Sequence, residues 1–317
     1  MPLYNEQESV LFVLNEIKLT ITNFLSDFQF EIIFVDDCST DNSVHLLIDE
    51  MNSLLPNMIL KIIRLTKNCG SHVAISAGLT VAKGDLVIIM SSDGQDPSEI
   101  IVTLVREWEL GNRLILASRK QNLEQGIISR NFSRLAWQIM KWSSNLKMPD
   151  GGCDLLAMDR RVVNAYNAQS ERNTTFIFKV MALGYKFKEI SYIKRQRHAG
   201  NSKWTFLAKM SIMIDAITGF SNRPLRLIVK IGLVVFFLLI LRWASIIYKV
   251  YFLGETPTDL TIVLNTILVA FSMIILFLGV IGDYVWRILD ETRKRSVFVI
   301  DEVIDSAASN EEQLNTK

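Results

Sequence analysis

The first half of the chain alternates short apolar runs with longer stretches of helical periodicity. Phe30 to Asp37 (FEIIFVDD) and Gly84 to Asp93 (GDLVIIMSSD) have the length of buried strands and end in carboxylates, and Met58 to Leu65 (MILKIIRL) and Asn112 to Arg119 (NRLILASR) follow the same pattern. Apolar runs without strict alternation suit strands covered on both faces, so the pattern predicts an α/β fold. Ligands of such sheets bind beyond the carboxyl ends of the strands, which is where Asp36, Asp37 and Asp93 fall.

The pattern changes at Leu227. Ile231 to Leu241 is continuously apolar and resumes past Arg242 as WASIIY, and Leu260 to Gly282 carries no charge. A bilayer core needs about twenty such residues, so two membrane helices are expected within 227–286. Lys230, Arg242 and Lys249 interrupt the first and must snorkel or pair. Arg223, Arg226 and Lys230 precede the pair, Arg287, Arg293, Lys294 and Arg295 follow it, and the GETPTD connector has no Lys or Arg. That asymmetry places both termini in the cytoplasm of an inner-membrane, multi-pass protein. Ahead of the spans, Phe206, Leu207, Met210, Met213, Ile214 and Ile217 share one helical face, which either lies in the headgroup plane or packs on the globular domain. The segment ISRNFSRLAWQIMKW allows the same two readings, and the polar tail SAASNEEQLNTK is expected to be disordered.

Composition adds limits. A hydrophobic content of 50% is high for a wholly soluble protein of 317 residues, and a formal charge of +1 gives no case for a nucleic-acid partner. Cys38, Cys69 and Cys153 are too few and too scattered for a disulfide framework or a zinc site, and are expected to pack as small buried residues on a reducing face. No basic region followed by an apolar run marks the start as a cleavable signal.

The candidate chemistry centres on SSDGQDPSE. On an extended segment, residues two apart face the same side, so Asp93 and Gln95 can present hard oxygen ligands to Mg2+ or Mn2+. An acidic turn closing a strand would have the same composition. Four other segments occur with it in one order: PLYNE at 2–6, EIIFVDDCSTD at 31–41, KNCGSHVAISAGLTVAKGD at 67–85 and RQRHAGNSKW at 195–204. Together they resemble family-two glycosyltransferases of the GT-A fold, specifically the polyprenyl-phosphate sugar synthases related to dolichyl-phosphate mannose synthase and bactoprenol glucosyltransferase. The resemblance runs on through the two apolar segments to GVIGDYVWRILDETRKRSVFVID.

It implies a Rossmann-like mixed sheet with flanking helices over 1–196, a mobile basic loop and interfacial helix over 197–226, two transmembrane helices over 227–286 and a cytoplasmic segment over 287–317. It implies that Pro2, Tyr4, Glu6, Asp36, Asp37 and Asp96 bind a nucleotide-sugar donor, and that Asp93 with Gln95 holds Mg2+ or Mn2+. It further implies that Arg197 and Lys203 stabilise the diphosphate leaving group, that Arg119, Arg130, Ser133 and Arg134 bind a lipid phosphate, and that Asp154 positions sugar or acceptor. The chain departs from the family's DADLQDP at Ser91, and Leu156 stands where the family has Arg. Family members also carry a strand before PxYNE, whereas Met1 stands directly ahead of Pro2, so a central strand is expected to be missing and the native start to lie upstream. The expected activity is transfer of one sugar, with inversion, from a UDP-sugar to undecaprenyl or a similar polyprenyl phosphate, by a protein that can self-associate through its membrane helices. The rivals are the same fold acting on another lipid hydroxyl, with Asp154 as base, and a silent adaptor that binds nucleotide-sugar or lipid.

Overall fold

The computed structural model describes residues 1–119, 153, 155–169, 176–195, 260–293 and 296–307, with isolated helical positions at 237, 241, 244, 248, 251 and 252. The first expected membrane helix, both amphipathic segments and residues 308–317 lie outside these, isolated positions apart.

The four strands expected from the apolar runs are present. β1 (Pro2–Leu3), α1 (Val10–Phe24), β2 (Phe30–Asp36), α2 (Ser43–Asp49), β3 (Met58–Leu65), α3 (Ser71–Val81), β4 (Leu86–Ile89), α4 (Ile100–Glu109) and β5 (Leu114–Arg119) alternate along the first half. They are followed by β6 (Leu155–Asp159), α5 (Arg160–Asn167), α6 (Phe176–Ala182), β7 (Lys188–Tyr192), α7 (Leu260–Arg293) and β8 (Ile300–Asp305). The strands form two mixed sheets, β1-β2-β3-β8 and β4-β6-β5-β7. β1, β2 and β3 are parallel and β8 runs against β3, while β6 runs against both β4 and β5.

Helix burial follows the sequence period. Val10, Val13, Leu14, Ile17 and Ile21 of α1 face the core with Phe34, Leu60 and Ile62 from β2 and β3. A second cluster gathers Leu114, Leu116, Leu156 and Met158 of β5 and β6 with Val162, Val163 and Phe178. Leu156, aligned with a family Arg, is fully buried there and presents no polar group to a ligand.

The strand expected to be missing is there in short form, within the PLYNE segment itself. Pro2 and Leu3 pair with Val35 and Asp36, and Met1 prolongs the contact: its amine donates to the Ile33 carbonyl at 2.7 Å and its carbonyl accepts from Val35 at 2.9 Å. Burial brings that amine down to about 5. Among the described residues β1 pairs with β2 alone; toward the second sheet, the Ser92 hydroxyl donates to the Pro2 carbonyl at 2.7 Å and the Ser9 hydroxyl lies 3.0 Å from the Ser92 carbonyl.

The boundary expected at 196 does not close the globular unit, because β8 returns to form the edge of the first sheet. Charge explains the return. In the β3–β8 register Lys61 faces Asp305 and Arg64 faces Glu302, and opposite charges directly across a ladder favour that pairing. Lys61 is buried between Glu31 at 2.7 Å and Asp305 at 3.3 Å. Burial alone would lower its ammonium, and the two carboxylates outweigh that and hold it above its ordinary value. Ser306, expected in a disordered tail, is buried, and its hydroxyl accepts the Leu60 amide at 3.0 Å.

α7 is 34 residues long and uncharged from Leu260 to Gly282 in sequence. Counting only residues whose side chains are described, no helix is long and apolar enough to cross a membrane. Val263, Ile267, Phe271, Ile274 and Leu278 are exposed along it.

Ser306→Ala leaves the Leu60 amide without its acceptor in a buried strand, which costs about 1–3 kcal/mol. The melting temperature of the detergent-purified chain should fall by at least a few degrees; an unchanged value would mean that β8 adds nothing to the stability of the sheet.

Candidate active site

Three loops meet beyond β1, β2 and β4. The first, Tyr4 to Gln7, is fastened to the loop after β2 by side chains that bond backbone. Asn5 stands at φ 51°, a conformation that Asn tolerates better than most residues. Its amide donates to Ser39 Oγ at 2.9 Å, and its Oδ1 accepts from Thr40 N at 2.8 Å. Glu6 N donates to Ser43 Oγ at 2.9 Å, and Asp41 Oδ1 in turn accepts from that hydroxyl at 2.6 Å. The Glu6 carboxylate lies 3.1 Å from Ser9 Oγ and shares that hydroxyl's one hydrogen with the Ser92 carbonyl at 3.0 Å.

The second loop starts from two buried carboxylates with different tasks. Asp37 accepts the amides of Cys69 and Gly70, each at 2.7 Å, so it ties the end of β2 to the loop ahead of α3. Burial raises its pKa, and the two amide bonds only partly offset that. Gly70 is required there, since its φ is +89°. Asp36 is fully buried; Oδ1 accepts Ser39 N at 3.0 Å, while Oδ2 lies 3.6 Å from Arg64 Nε without a hydrogen bond. Cys38, beside them, holds φ 63°, where a β-carbon is strained. All three cysteines are partly exposed, not buried as expected, and Cys153 Sγ lies 3.0 Å from the Leu155 carbonyl.

The third loop is SSDGQDP. Asp93 and Gln95 are neighbours for a reason other than the expected pleat: Asp93 Oδ1 accepts Gln95 N at 3.1 Å, and Gly94 between them has φ 72°, so the segment is a tight turn. Ser91 Oγ stands 2.7 Å from both Asp93 Oδ1 and Asp96 Oδ2. Asp96, expected among the donor contacts, is instead 2% exposed and turned into the protein. Its Oδ1 accepts Tyr192 OH at 2.7 Å and lies 3.9 Å from Lys194 Nζ, and its Oδ2 also takes Ser91 N at 3.2 Å. It braces the loop from within, between Tyr192 and Ser91.

Arg195, which opens the basic segment, reaches the same loop. Its amide donates to the Gln95 carbonyl at 2.9 Å, and its guanidinium forks onto Glu16 at 2.8 and 2.9 Å and onto Glu99 at 3.2 and 3.1 Å. The Glu16 bond leads the interactions that raise its pKa.

Among the described residues no three His, Cys, Asp or Glu side chains form a metal-binding group. That excludes an all-protein cage built from them. Mg2+ is commonly held by one or two carboxylates joined by phosphates and waters, and Asp93 and Gln95, brought side by side in this turn, carry oxygens of the kind it takes. Arg119 ends β5 opposite Tyr192, with its side chain outside the described residues. Arg130, Ser133, Arg134, Asp154, Arg197 and Lys203 also lie outside them.

The profile of glycosyl transferase family 2 matches residues 1–166, the half of the chain that carries all three loops. The chain belongs to that family. Its membership extends to curated proteins along nearly the full length. An undecaprenyl-phosphate 4-deoxy-4-formamido-L-arabinose transferase of Pseudomonas fluorescens (strain SBW25) is 32% identical over 306 residues, 96% of this chain and 88% of that protein. A prophage bactoprenol glucosyl transferase homolog of Escherichia coli (strain K12) is 29% identical, over 96% of this chain and 97% of that protein. Among solved structures, a mannosyltransferase of Pyrobaculum calidifontis, in complex with GDP-Man and Mn2+, aligns at TM-score 0.46 and 14% identity over 68% of this chain and 67% of that one. That likeness is too distant to bear on donor or metal. As a family-two member the protein is a glycosyltransferase with the α/β fold described above.

Sequence reasoning picked out the acids and passed over the residues that fix them: Asn5, Ser9, Ser39, Asp41, Ser43, Ser92, Tyr192 and Arg195. Asn5, Ser39, Asp41, Ser92 and Arg195 had a signal, as members of quoted segments; Ser9, Ser43 and Tyr192 had none.

His72 lies in the first turn of α3, directly after the loop that Asp37 holds, and burial keeps its pKa below the ordinary 6.5. Below that pH the unfolded chain takes up the proton first, so stability should decline as pH falls and stay flat above it. His72→Gln should flatten the acid limb in melting curves taken from about pH 7.5 to 5; parallel curves for both proteins would refute this.

Proposed function

We propose that the protein is a membrane-bound inverting enzyme that moves one sugar from a nucleotide diphosphate, a UDP-sugar in our reading, to undecaprenyl or a similar polyprenyl phosphate. The observation that carries this reading is the convergence of the Tyr4–Gln7, Asp36–Asp41 and Ser91–Asp96 loops into one hydrogen-bonded end of the sheets. The names of the relatives, two of which act on or are named for bactoprenol-type lipids, support the acceptor.

In this reading Pro2, Tyr4, Glu6 and Asp36 face the nucleoside, and Asp37 acts by shaping the adjoining loop. Asp93 and Gln95 hold Mg2+ or Mn2+, which when bound offsets the charge of the diphosphate. Arg197 and Lys203 close over the phosphates, and Arg119, Arg130, Ser133 and Arg134 bind the acceptor phosphate, with Asp154 at the sugar. A lipid phosphate oxygen forms the new bond to the anomeric carbon as the bond to the nucleotide diphosphate breaks on the opposite side. The acceptor is already anionic, so no base is needed to take a proton.

Two membrane spans, in 227–286, fit the fold. β8 lies in the same sheet as β1 to β3, and this supports an even number of crossings between residue 195 and Ile300. The catalytic sheets and both termini then share the cytoplasmic face, as the Lys and Arg flanks favour. Self-association through the membrane helices belongs to the same reading.

Detergent-purified protein with Mg2+ or Mn2+, undecaprenyl phosphate and labelled UDP-glucose, UDP-N-acetylglucosamine or GDP-mannose should yield an acid-labile labelled lipid. Donor binding without transfer to this acceptor would overturn the reading. Asp93→Ala should lower turnover on the order of 100-fold or more, and near-normal turnover would remove Asp93 from the reaction.

Arg195 in this scheme sets where the basic segment leaves the Gln95 turn. Arg195→Lys keeps the charge and loses the double fork, so kcat should fall on the order of tenfold with donor KM nearly constant. An unchanged kcat would reduce Arg195 to a surface ion pair.

A further inference from the structure

We propose that Arg64 is a positioning residue for the donor: from β3 it supplies the counter-charge that keeps Asp36 on Ser39, and through them it sets the Tyr4–Gln7 loop. The inference rests on the reading above that these loops hold the nucleotide, and it concerns a residue outside them.

Strand register creates the arrangement. Asp36 on β2 stands abreast of Arg64 on β3, and Arg64 abreast of Glu302 on β8. Side chains abreast on neighbouring strands share a face, so acid, base and acid form a row across the sheet. β8 is irregular at this point: Arg64 pairs with Glu302 and Leu65 with Ile300, which leaves Asp301 as an extra residue between them. Such an extra residue re-aims the side chains beside it, and here it is Glu302 that comes to stand opposite Arg64.

The two contacts of Arg64 differ in kind. On the outer side Nη1 lies 3.6 Å from Oε2 of the exposed Glu302, a pair that guides the guanidinium and adds little strength. On the inner side Nε lies 3.6 Å from Asp36 Oδ2, and Asp36 is fully buried. Among the described residues neither of these two inner atoms has a hydrogen bond, and no other cation comes within ion-pair distance of Asp36. The buried charge of Asp36 therefore depends on Arg64 alone. A carboxylate stripped of its one cation in such a place turns toward water or takes up a proton. Either response weakens what Asp36 Oδ1 does now, which is to accept Ser39 N at 3.0 Å.

Ser39 carries the effect onward. Its Oγ accepts the Asn5 amide at 2.9 Å, and Asn5 Oδ1 accepts Thr40 N at 2.8 Å, so the loop after β2 and the Tyr4–Gln7 loop are set as one piece. Loss of Arg64 changes where these loops stand and removes no reacting group. Nucleotide affinity is then the quantity that moves, with the chemical step largely spared.

Equilibrium dialysis of labelled UDP and GDP against the full-length protein in detergent tests this. Arg64→Gln should weaken the nucleotide that wild type prefers on the order of tenfold, while kcat at saturating donor stays within about twofold. Arg64→Lys restores the charge and should bind within about threefold of wild type. Asp36→Asn should weaken binding as Arg64→Gln does, and the double variant should be no worse than Asp36→Asn alone, since Arg64 acts through that carboxylate.

Unchanged nucleotide affinity in Arg64→Gln would overturn the inference, as would an Arg64→Lys protein as weak as Arg64→Gln, or a further loss when Arg64→Gln is added to Asp36→Asn. Each of these leaves the proposed function standing. Failure of the wild type to bind either nucleotide would take down both. Should Arg64→Gln fail to fold, Asp36→Asn against the double variant decides, because removing both charges together leaves no buried charge unpaired.

Discussion

The working end of this protein depends on buried carboxylates that are satisfied by the backbone of neighbouring loops. Asp37 takes two amides from the segment ahead of α3, and Asp96 takes one from Ser91 together with the Tyr192 phenol. A buried carboxylate without such donors is costly, so each fixes a loop that has no regular structure of its own. The geometry around Asp93 follows from that arrangement. With Asp96 anchored inward, Ser91 is placed between the two acids, and Asp93 is left at the surface of a turn held at both ends.

Much of the framework was legible because buried strands have a local signature. β2, β3, β4 and β5 fall inside the apolar runs that predict them, and β3 matches MILKIIRL residue for residue. β8 was illegible for the opposite reason. IDEVID carries three acids in six residues and follows a long apolar helix, so by composition it belongs to a polar tail. Its partner supplies what it lacks: Lys61 and Arg64 on β3 meet Asp305 and Glu302 in register. The signal was distributed over two segments some 240 positions apart, as the Leu60–Ser306 bond also shows with a separation of 246, and no local period reports such a pairing.

The site divides the same way. Motif resemblance located Asp36, Asp37, Asp93 and Gln95 but carried no information on which acids face inward. Asp96 was placed with the donor contacts because it lies in the motif, and Asp93 with Gln95 because extended chain brings residues two apart onto one side. The turn at Gly94, with its positive φ, brings the same two residues together by another route. Ser39, Ser43 and Asn5, which lock PLYNE to the segment after β2, are small polar residues whose pairing has no local pattern to betray it. Their effect exists only once β1 and β2 lie side by side.

The pairing of β8 with β3 also constrains what lies between them. A sheet cannot be assembled across a bilayer, because its strands must exchange hydrogen bonds within about 5 Å. Residues on either side of the apolar region therefore belong to one compartment, independently of any count of Lys and Arg. Only six positions separate the end of α7 at Arg293 from the start of β8 at Ile300, and full extension spans roughly 3.3 Å per residue. If α7 crosses the membrane, the β8 edge of the sheet is held close to its surface, and the loops beyond β1, β2 and β4 are carried on the same sheets. A glycosyltransferase whose acceptor phosphate is confined to that plane gains orientation from such a tether, since one reactant is immobilised in the layer and the other is bound on a sheet that the layer itself positions.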